Sequence, residues 1–299
     1  MKESNKALIY TGIAIASWST VASAFKIALR YMTHFELILV SAITTLLILS
    51  VVMIFSRKWD ELKSVQQKDW MRFAFIGLLN PAAYYLVLFK AYSLLPAQIA
   101  QPINYFWPIL LVIMLATVLR ERIAAYKFIG MFVSFTGVAL ISFGTEWVSD
   151  ESLSETGIAL AFLSAFFWAS FWILNRKMEH RDSIVALFLS FLFGSVYLLA
   201  ATLVIPVSFA SLKGLGAGVY VGAFEMAVPF IFFGMALRTT SNPALVNQLT
   251  YLSPFISLFL IYLILGESIY STTYIGLFLI VAGILLNEWL GKRNVKSVG

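Results

Sequence analysis

Long apolar runs follow one another along the whole chain, and short polar segments separate them. Runs such as 46–55 and 109–119 are almost unbroken and do not alternate as the strands of a membrane β-barrel do. A helix that crosses a bilayer needs about 20 apolar residues. The pattern therefore predicts an all-α membrane protein with ten transmembrane helices. We expect them over residues 7–29, 34–56, 71–93, 97–119, 128–145, 157–175, 183–206, 216–237, 242–265 and 271–290.

The composition agrees with this interpretation and excludes several classes of protein. Of the 299 residues, 61% are hydrophobic and 12% are charged, whereas soluble domains carry about 25% charged residues. The chain has no cysteine, which excludes disulfides, thiolate metal sites and Cys nucleophiles. The first apolar run lacks a signal-peptide cleavage site, so we expect it to be retained as the first helix.

The positions of the basic residues predict how the helices are oriented. If the N-terminus is cytoplasmic, 17 of the 21 Lys and Arg residues lie on the cytoplasmic side, in agreement with the positive-inside rule. These residues are Lys2, Lys6, Arg57, Lys58, Lys63, Lys68, Arg72, Arg120, Arg122, Lys127, Arg176, Lys177, Arg181, Arg238, Lys292, Arg293 and Lys296. The sequence therefore predicts a multi-pass protein of a bacterial-type inner (plasma) membrane with both termini cytoplasmic. Topology then accounts for the net charge of +6, and no nucleic-acid partner is expected.

The two halves of the chain resemble each other. Pro108 and Pro254 lie 146 residues apart. The same offset pairs Tyr105 with Tyr251, Glu121 with Glu267, Gly130 with Gly276 and Gly137 with Gly283. We place the first repeat at residues 1–150 and the second at 151–299, with five helices each. An odd number of crossings inverts the second repeat in the membrane, a plan that secondary transporters use and that also occurs in channels.

Two polar stripes predict a site inside the bundle. In the fourth predicted helix Gln101, Asn104 and Tyr105 share one face, because they are three and four residues apart. The ninth helix repeats the stripe with Asn247 and Tyr251, and a proline that permits a kink follows each stripe. A polar stripe should face the interior, where it binds a solute or, as the alternative, a neighbouring helix. We expect the two stripes to face each other across a central cavity.

Other residues within the predicted helices join this candidate substrate-binding site. Trp18 and Trp168 are candidates for aromatic walls. Glu225 is the only acid expected near the bilayer midplane, where a charge costs at least about 2.5–3.5 kcal/mol. It is therefore a candidate for a substrate amine or for proton coupling, and a neutral or paired structural acid is the alternative. The remaining candidates are Asn80, Tyr84, Trp107 and Ser253, while Leu110 and Val112 are expected to face lipid.

The motifs resemble the drug/metabolite transporter (DMT) superfamily, specifically its EamA-type members. The resemblance covers nearly the whole chain and rests on residues 102–108, 119–123, 251–254 and 265–269. The Asn-Tyr-x-Trp-Pro string at 104–108 is also similar to the aromatic amino-acid exporters of this superfamily. The resemblance implies export of amino acids and other metabolites through a central cavity between the halves.

The sequence therefore predicts a secondary transporter that exports small amphipathic metabolites, amino acids first, by alternating access. A solute channel or facilitator is the alternative. Motifs such as His-Glu-x-x-His and Gly-x-Ser-x-Gly are missing, so we do not expect an enzyme, and the missing Gly-x-x-x-x-Gly-Lys-Ser/Thr loop argues against direct ATP drive. We expect no cofactor and no metal. The expected partners are a small-molecule substrate, the lipid bilayer and, as an open question, protons; monomer and homodimer both fit.

Overall fold

The computed structural model describes residues 3–95, 97–121, 123–143, 154–178, 180–209, 211–265 and 271–296. Lys2, Arg122, Ser152 and Glu267 lie outside them. The described residues form helices joined by short connections, and they contain no strand. The α-helices are α1 Glu3–Ala28, α2 His34–Phe55, α3 Gln67–Gly77, α4 Tyr84–Leu94, α5 Ala97–Asn104, α6 Trp107–Thr117, α7 Ala125–Phe143, α8 Glu155–Lys177, α9 Ser183–Ala201, α10 Leu212–Val221, α11 Val228–Thr239, α12 Pro243–Leu249, α13 Leu252–Leu265 and α14 Ser271–Lys296.

Seven helical stretches among the described residues are long and apolar enough to cross a membrane. They are Asn5–Ala28, His34–Phe55, Gln67–Leu94, Glu155–Lys177, Ser183–Ala201, Leu212–Thr239 and Pro243–Ile264. Shorter apolar helices cover Trp107–Thr117, Ala125–Leu140 and Tyr274–Asn287. The prediction of an all-helical membrane protein is confirmed, because the described residues form helices without strands and include seven stretches able to cross a membrane.

Several helical units are interrupted near their middle. The unit made of α3 and α4 contains a π-helical turn, Leu78–Ala83, in which Asn80 is extended (φ −146°, ψ 122°). Pro81 follows directly, and a residue before proline is disfavoured in the helical region. A second π-helical turn, Gly222–Ala227, joins α10 to α11. These turns place irregular backbone in the interior of the bundle.

The continuous helices expected over residues 97–119 and 242–265 are each divided in two. The first stretch breaks between α5 and α6, and the second breaks between α12 and α13. In both cases a proline, Pro108 or Pro254, lies within the first turn of the following helix. Proline lacks the N–H that a continuous helix would need there. The predicted kinks are therefore full interruptions.

The helices α7 and α14 form the most extensive helix pair and contact the rest of the bundle mainly through α5 and α12. Their close approach depends on glycine. A methyl group added to Gly130 would lie 2.5 Å from the carbonyl oxygen of Gly283, and one added to Gly137 would overlap the carbonyl oxygen of Gly276. The main core lies elsewhere, around α1, α2, α4, α8, α9 and α11.

Candidate substrate-binding site

A small buried cavity, called the central cavity below, lies where α1, α4, α5, α6, α8 and the second π-helical turn meet. Its volume is about 30 Å³, which is room for about one or two water molecules. The lining residues are Trp18, Val21, Phe25, Tyr84, Leu88, Tyr92, Gln101, Asn104, Tyr105, Trp107, Trp168 and Glu225. Eight of them are residues that the sequence singled out, so the fold brings most of the candidates together.

Glu225 brings the carboxylic acid into the central cavity. It sits in the π-helical turn Gly222–Ala227 and is only 5% exposed. The Tyr85 hydroxyl donates a hydrogen bond to Glu225 Oε1 at 3.1 Å, and the Trp18 indole N–H donates to the backbone oxygen of Glu225 at 3.2 Å. Neither partner carries a charge. The carboxyl group therefore has one neutral donor, Tyr85, in an apolar surrounding, where an uncompensated negative charge is costly.

Asn104 supplies an amide on the opposite wall of the central cavity. It is the last residue of α5, and its Nδ2 donates to Ser164 Oγ at 2.8 Å. Ser164 in turn donates to the Ala161 carbonyl oxygen within α8. The hydrogen bond therefore joins a helix of the first half to a helix of the second half. Gln101, one turn earlier in α5, is also buried and lines the cavity.

An aromatic cluster around Trp168 closes the cavity on one side. The ring of Trp168 packs against Trp18, Tyr84, Trp107, Trp172 and Phe230, with centroids 4.7–6.0 Å apart. The indole N–H groups of Trp168 and Trp172 are buried and have no hydrogen-bond partner in the described part of the chain. The cluster therefore contains two unused donors beside the central cavity.

Beyond this cluster lies a second cavity, the basic cavity, of about 50 Å³. It is lined by Trp172, Asn175, Arg176, Ser183, Leu187, Gly234, Leu237 and Arg238. Trp172 lines the basic cavity while Trp168 lines the central cavity, and their ring centroids are 5.9 Å apart. The two tryptophans therefore separate one cavity from the other.

Four of the predicted site residues lie outside the central cavity. Asn80 is fully buried, and neither of its amide atoms has a hydrogen-bond partner among the described residues. Asn247 donates to the Pro243 carbonyl oxygen of its own helix at 2.8 Å. Tyr251 packs in a small cluster with Tyr105, Val138 and Ile280, and Ser253 lies 3.4 Å from Ser19. The two polar stripes therefore do not face each other across this cavity. Their role in binding stays a prediction.

Sequence reasoning missed four of the lining residues, although helical spacing could have found them. Val21 and Phe25 follow Trp18 at three and seven residues, and Leu88 and Tyr92 follow Tyr84 at four and eight. These spacings put each set on one helix face. A second correction concerns the expected lipid face, because Val112 is fully buried and Leu110 packs against the core.

The fold and the site together define a class: polytopic helical membrane proteins with a buried polar and aromatic cavity between interrupted helices. The sequence model described as the EamA-like transporter family matches residues 5–143 and again residues 155–289. The chain belongs to the EamA-like transporter family. The EamA-type resemblance seen in the sequence is thereby confirmed, and because this is a family of transporters, the chain is not an enzyme.

Individual relatives agree with this assignment. The uncharacterized transporter YvbV of Bacillus subtilis (strain 168) is 28% identical over 242 residues, which cover 78% of this chain and 77% of that protein. An uncharacterized transporter of Archaeoglobus fulgidus is 24% identical over 289 residues, covering 94% and 98%. A solved crystal structure matches with a TM-score of 0.77 over 97% of this chain and 98% of the other, at 19% identity, which shows that the fold is shared.

Proposed function

We propose that this protein is a secondary transporter that exports small amphipathic metabolites, amino acids with large side chains first, by alternating access. The observation that carries the proposal is the central cavity, in which Asn104 and Trp107 of the first half meet Trp168 and Glu225 of the second. A site that forms between two halves can open to either side when the halves move. A solute channel or facilitator is the alternative.

The proposed architecture is ten membrane helices in two inverted repeats, residues 1–150 and 151–299. The interrupted units support it, because the breaks after Asn104 and Leu249 are 145 residues apart. The two π-helical turns contain Asn80 and Glu225, which are also 145 residues apart. The family model also matches the chain twice, once in each half. Discontinuous helices in corresponding positions of two repeats are typical of transporter binding sites.

The glycine contacts between α7 and α14 give independent support for the repeat. Gly130 corresponds to Gly276 and Gly137 to Gly283 in the sequence. In the structure Gly130 contacts Gly283, and Gly137 contacts Gly276. Exchanging each glycine for its equivalent turns the first contact into the second. A twofold axis produces such a pair of contacts, because the same surface of each repeat meets the other. We infer that the axis relating the two repeats passes between α7 and α14.

The chemistry of the central cavity supports the substrate class. Aromatic rings provide flat apolar contact, and the Glu225 carboxyl is the acid among the lining residues, suited to an amine. Gln101, Asn104 and the unused indole N–H of Trp168 can orient polar groups such as a carboxylate. Such walls discriminate weakly, since one methylene is worth about 1–3 kcal/mol. We therefore expect broad specificity and modest affinity.

Substrate binding requires movement from the conformation described above. Ligand sites usually measure about 300–1,000 Å³, and the central cavity measures about 30 Å³. The interruptions between α5 and α6 and between α12 and α13 are positions where a helix can bend without losing regular hydrogen bonds. We infer that they serve as hinges, and that Trp168 and Trp172 separate the central cavity from the basic cavity until the halves move.

Proton coupling is proposed for Glu225. No described residue supplies a cation to its carboxyl group, and its side-chain partner is the neutral Tyr85. A buried acid without a counter-ion is most stable when protonated, or when a substrate amine compensates its charge. Binding of the substrate would then compete with binding of the proton at Glu225. Such competition is the basis for exchanging substrate for protons across the membrane.

The direct test is transport by the purified protein in proteoliposomes. Labelled aromatic and aliphatic amino acids are supplied outside, with or without the same unlabelled solute inside, and at several pH gradients. We expect saturable uptake that unlabelled internal solute accelerates, which is the mark of a carrier that alternates. Empty liposomes are the control. Flux that rises in proportion to concentration, without counterflow, would indicate the channel instead.

The orientation is tested separately by cysteine labelling, since the native chain contains no cysteine. Ser64 lies in the exposed 3₁₀-helix Trp59–Ser64, on the side predicted to be cytoplasmic, and Ser152 lies in the loop predicted to be external. We expect an impermeant maleimide to label Ser152→Cys in intact cells and to spare Ser64→Cys until the cells are opened. The reverse result would invert the proposed topology.

A further inference from the structure

A surface groove of about 560 Å³ lies between α3 and the C-terminal end of α8, away from the central cavity. Its lining residues are Lys68, Met71, Arg72, Phe75, Ile76, Leu174, Lys177 and Met178. Three of these are cations and the other five are apolar. The groove therefore combines three cations with an apolar wall.

The apolar wall belongs to a stripe along α3. Met71 is 71% exposed, Phe75 is 60% exposed and Leu78, just beyond the groove, is 48% exposed. These residues are four and three positions apart, so they lie on one face of the helical unit. Large apolar side chains in a row are unfavourable in water. In a membrane protein such a stripe faces the acyl chains of lipids.

The cations lie beside that stripe. Lys68 precedes Met71 by one turn of α3, and Lys177 is the last residue of α8. Neither ammonium group has an acidic partner within the described ranges of the chain. Arg72 contacts Asp69 at 3.2 Å, but that carboxylate also receives His180 and Arg181. The groove therefore carries an excess of positive charge.

Several other cations at this end of the bundle pair with acids of the protein. Lys58 pairs with Asp182, Lys63 with Asp60 at 2.7 Å and Arg176 with Glu121 at 3.6 Å. The positive-inside rule explains why basic residues collect at this end. It does not explain why two lysines without an acidic partner among the described residues lie in one groove with an apolar wall.

We propose that this groove binds an anionic phospholipid. The phosphate lies between Lys68, Arg72 and Lys177, and an acyl chain follows Met71 and Phe75 along α3. Basic pockets between helices at the cytoplasmic surface bind anionic head groups in this way. A free phosphate would use the cations and leave the apolar wall without a partner, so the lipid is the better match. Bound there, it ties α3 to α8, the helix that carries Trp168.

The test measures binding of dioctanoyl phosphatidylglycerol to the purified full chain in an uncharged detergent by native mass spectrometry. Dioctanoyl phosphatidylcholine and glycerol 3-phosphate are compared at the same concentrations. We expect phosphatidylglycerol to bind at least about tenfold more tightly than phosphatidylcholine and glycerol 3-phosphate not to bind measurably. Each basic residue near an anionic surface contributes about one kcal/mol, so Lys68→Gln with Lys177→Gln should weaken phosphatidylglycerol binding about 10- to 30-fold.

The matched control is Arg57→Gln with Lys63→Gln, which removes two positive charges from the same end but outside the groove, and which should bind as the wild type does. Size-exclusion chromatography and far-UV circular dichroism verify that both double variants fold. The single variant Lys177→Glu, which reverses one charge of the groove, should also weaken phosphatidylglycerol binding. Equal binding of the two lipids would overturn the proposal, as would equal binding by the two double variants. If glycerol 3-phosphate binds as tightly as phosphatidylglycerol, the site is one for a free anion and the lipid assignment is wrong.

Discussion

The fourth and ninth predicted helices carry the same pattern of polar residues, yet the fold treats them differently. In the first half, Gln101, Asn104 and Tyr105 line the central cavity. In the second half, Asn247 and Tyr251 occupy the corresponding positions and are buried away from it. Two similar sequences therefore adopt unequal positions in one structure. The proposed alternating access would require such an inequality, because each half would hold the conformation that the other adopts next.

The chemistry of the two stripes explains part of the difference. Asn104 corresponds to Thr250, whose hydroxyl donates to the Asn247 carbonyl oxygen of its own helix. Gln101 corresponds to Asn247, whose amide donates to Pro243, also within the same helix. These two donors of the second stripe bond within their own helix, while Asn247 Oδ1 and the Tyr251 hydroxyl have no partner among the described residues. Asn104, in contrast, reaches Ser164 on another helix. The amide of Asn104 reaches further than the hydroxyl of Thr250 and so forms a contact between the halves.

The largest effect should come from Glu225, which the second half contributes to a cavity lined largely by the first. Glu225→Gln removes the charge and keeps the size of the side chain. A hydrogen bond between a substrate amine and the charged carboxylate would contribute about 1.5–3 kcal/mol. Without it we expect transport to fall about 10- to 100-fold or to lose its dependence on pH. The measurement is counterflow in proteoliposomes across a range of pH.

Glu61→Gln is the matched control for this experiment, because Glu61 lies on the exposed 3₁₀-helix. It should transport as the wild type does. A Glu225→Gln protein with the wild-type rate and pH profile would make Glu225 a structural acid and would remove proton coupling at this residue from the proposal.

The next largest effect is expected at the glycine contacts between α7 and α14, where the two halves are alike. Gly137→Ala and Gly283→Ala each place a methyl group against the backbone of the partner helix. Overpacking of this kind costs about 1–3 kcal/mol, which exceeds the gain in helix propensity. We expect both variants to unfold at lower temperature by similar amounts, measured as thermal unfolding in detergent. Gly12→Ala and Gly216→Ala, where no atom lies within 4 Å of the added methyl, should not. Gly137 and Gly283 are equivalent under the repeat, so a large difference between Gly137→Ala and Gly283→Ala would count against the twofold axis.

The two stripes themselves can be compared directly. Asn104→Ala removes a neutral hydrogen bond across the halves, which is worth about 0.5–1.5 kcal/mol, so transport should fall about 3- to 10-fold. If the halves exchange conformations, Tyr251→Ala in the second stripe should reduce transport as well. The exposed residues Ile113 and Val118 of the fourth predicted helix provide alanine controls.

Protein amounts must be matched in this comparison, since these side chains also hold helices together. Normal transport of every tested solute by both Asn104→Ala and Tyr251→Ala would locate the binding site elsewhere. A loss confined to Asn104→Ala would keep the central cavity but remove the exchange of roles between the stripes.

The smallest effect is expected at an ion pair that joins the halves. Lys58 pairs with Asp182, which also caps α9 by accepting from the N–H groups of Ile184 and Val185. Partial burial alone raises the pKa of Asp182, but the hydrogen bonds from Lys58 and the backbone outweigh it and hold that pKa below its ordinary value. A lowered pKa means that the stabilisation is present above the ordinary pKa of an aspartate, about 4, and is lost as the pH falls through the lowered value.

Asp182→Asn keeps the cap and removes the charge, so it should reduce the free energy of unfolding by less than about 1 kcal/mol at neutral pH. The difference from wild type should disappear in strong acid. Thermal unfolding at neutral and acidic pH measures both. A loss that persists unchanged in acid would mean that the pair contributes through packing rather than charge.

The sequence by itself determined the membrane class, the helical fold and the family. These follow from the lengths of the apolar runs and from motifs such as residues 102–108, and neither depends on how the helices pack. It also predicted most of the central cavity, because Trp18, Tyr84 and Asn104 are polar or aromatic groups within apolar helices, which have few favourable positions other than the interior.

Only the tertiary structure decided which candidates meet. Tyr92 lines the central cavity because α4 packs against α8 there, whereas Asn80, a more conspicuous polar residue of the same unit, is buried elsewhere. Val112 is in the core for the same kind of reason, since a helix buried on several sides shows no single apolar face in its sequence. Hydrophobicity along a chain indicates which segments lie within the membrane. Which neighbours a residue contacts is set by helix packing, and residues far apart in the sequence determine that packing together.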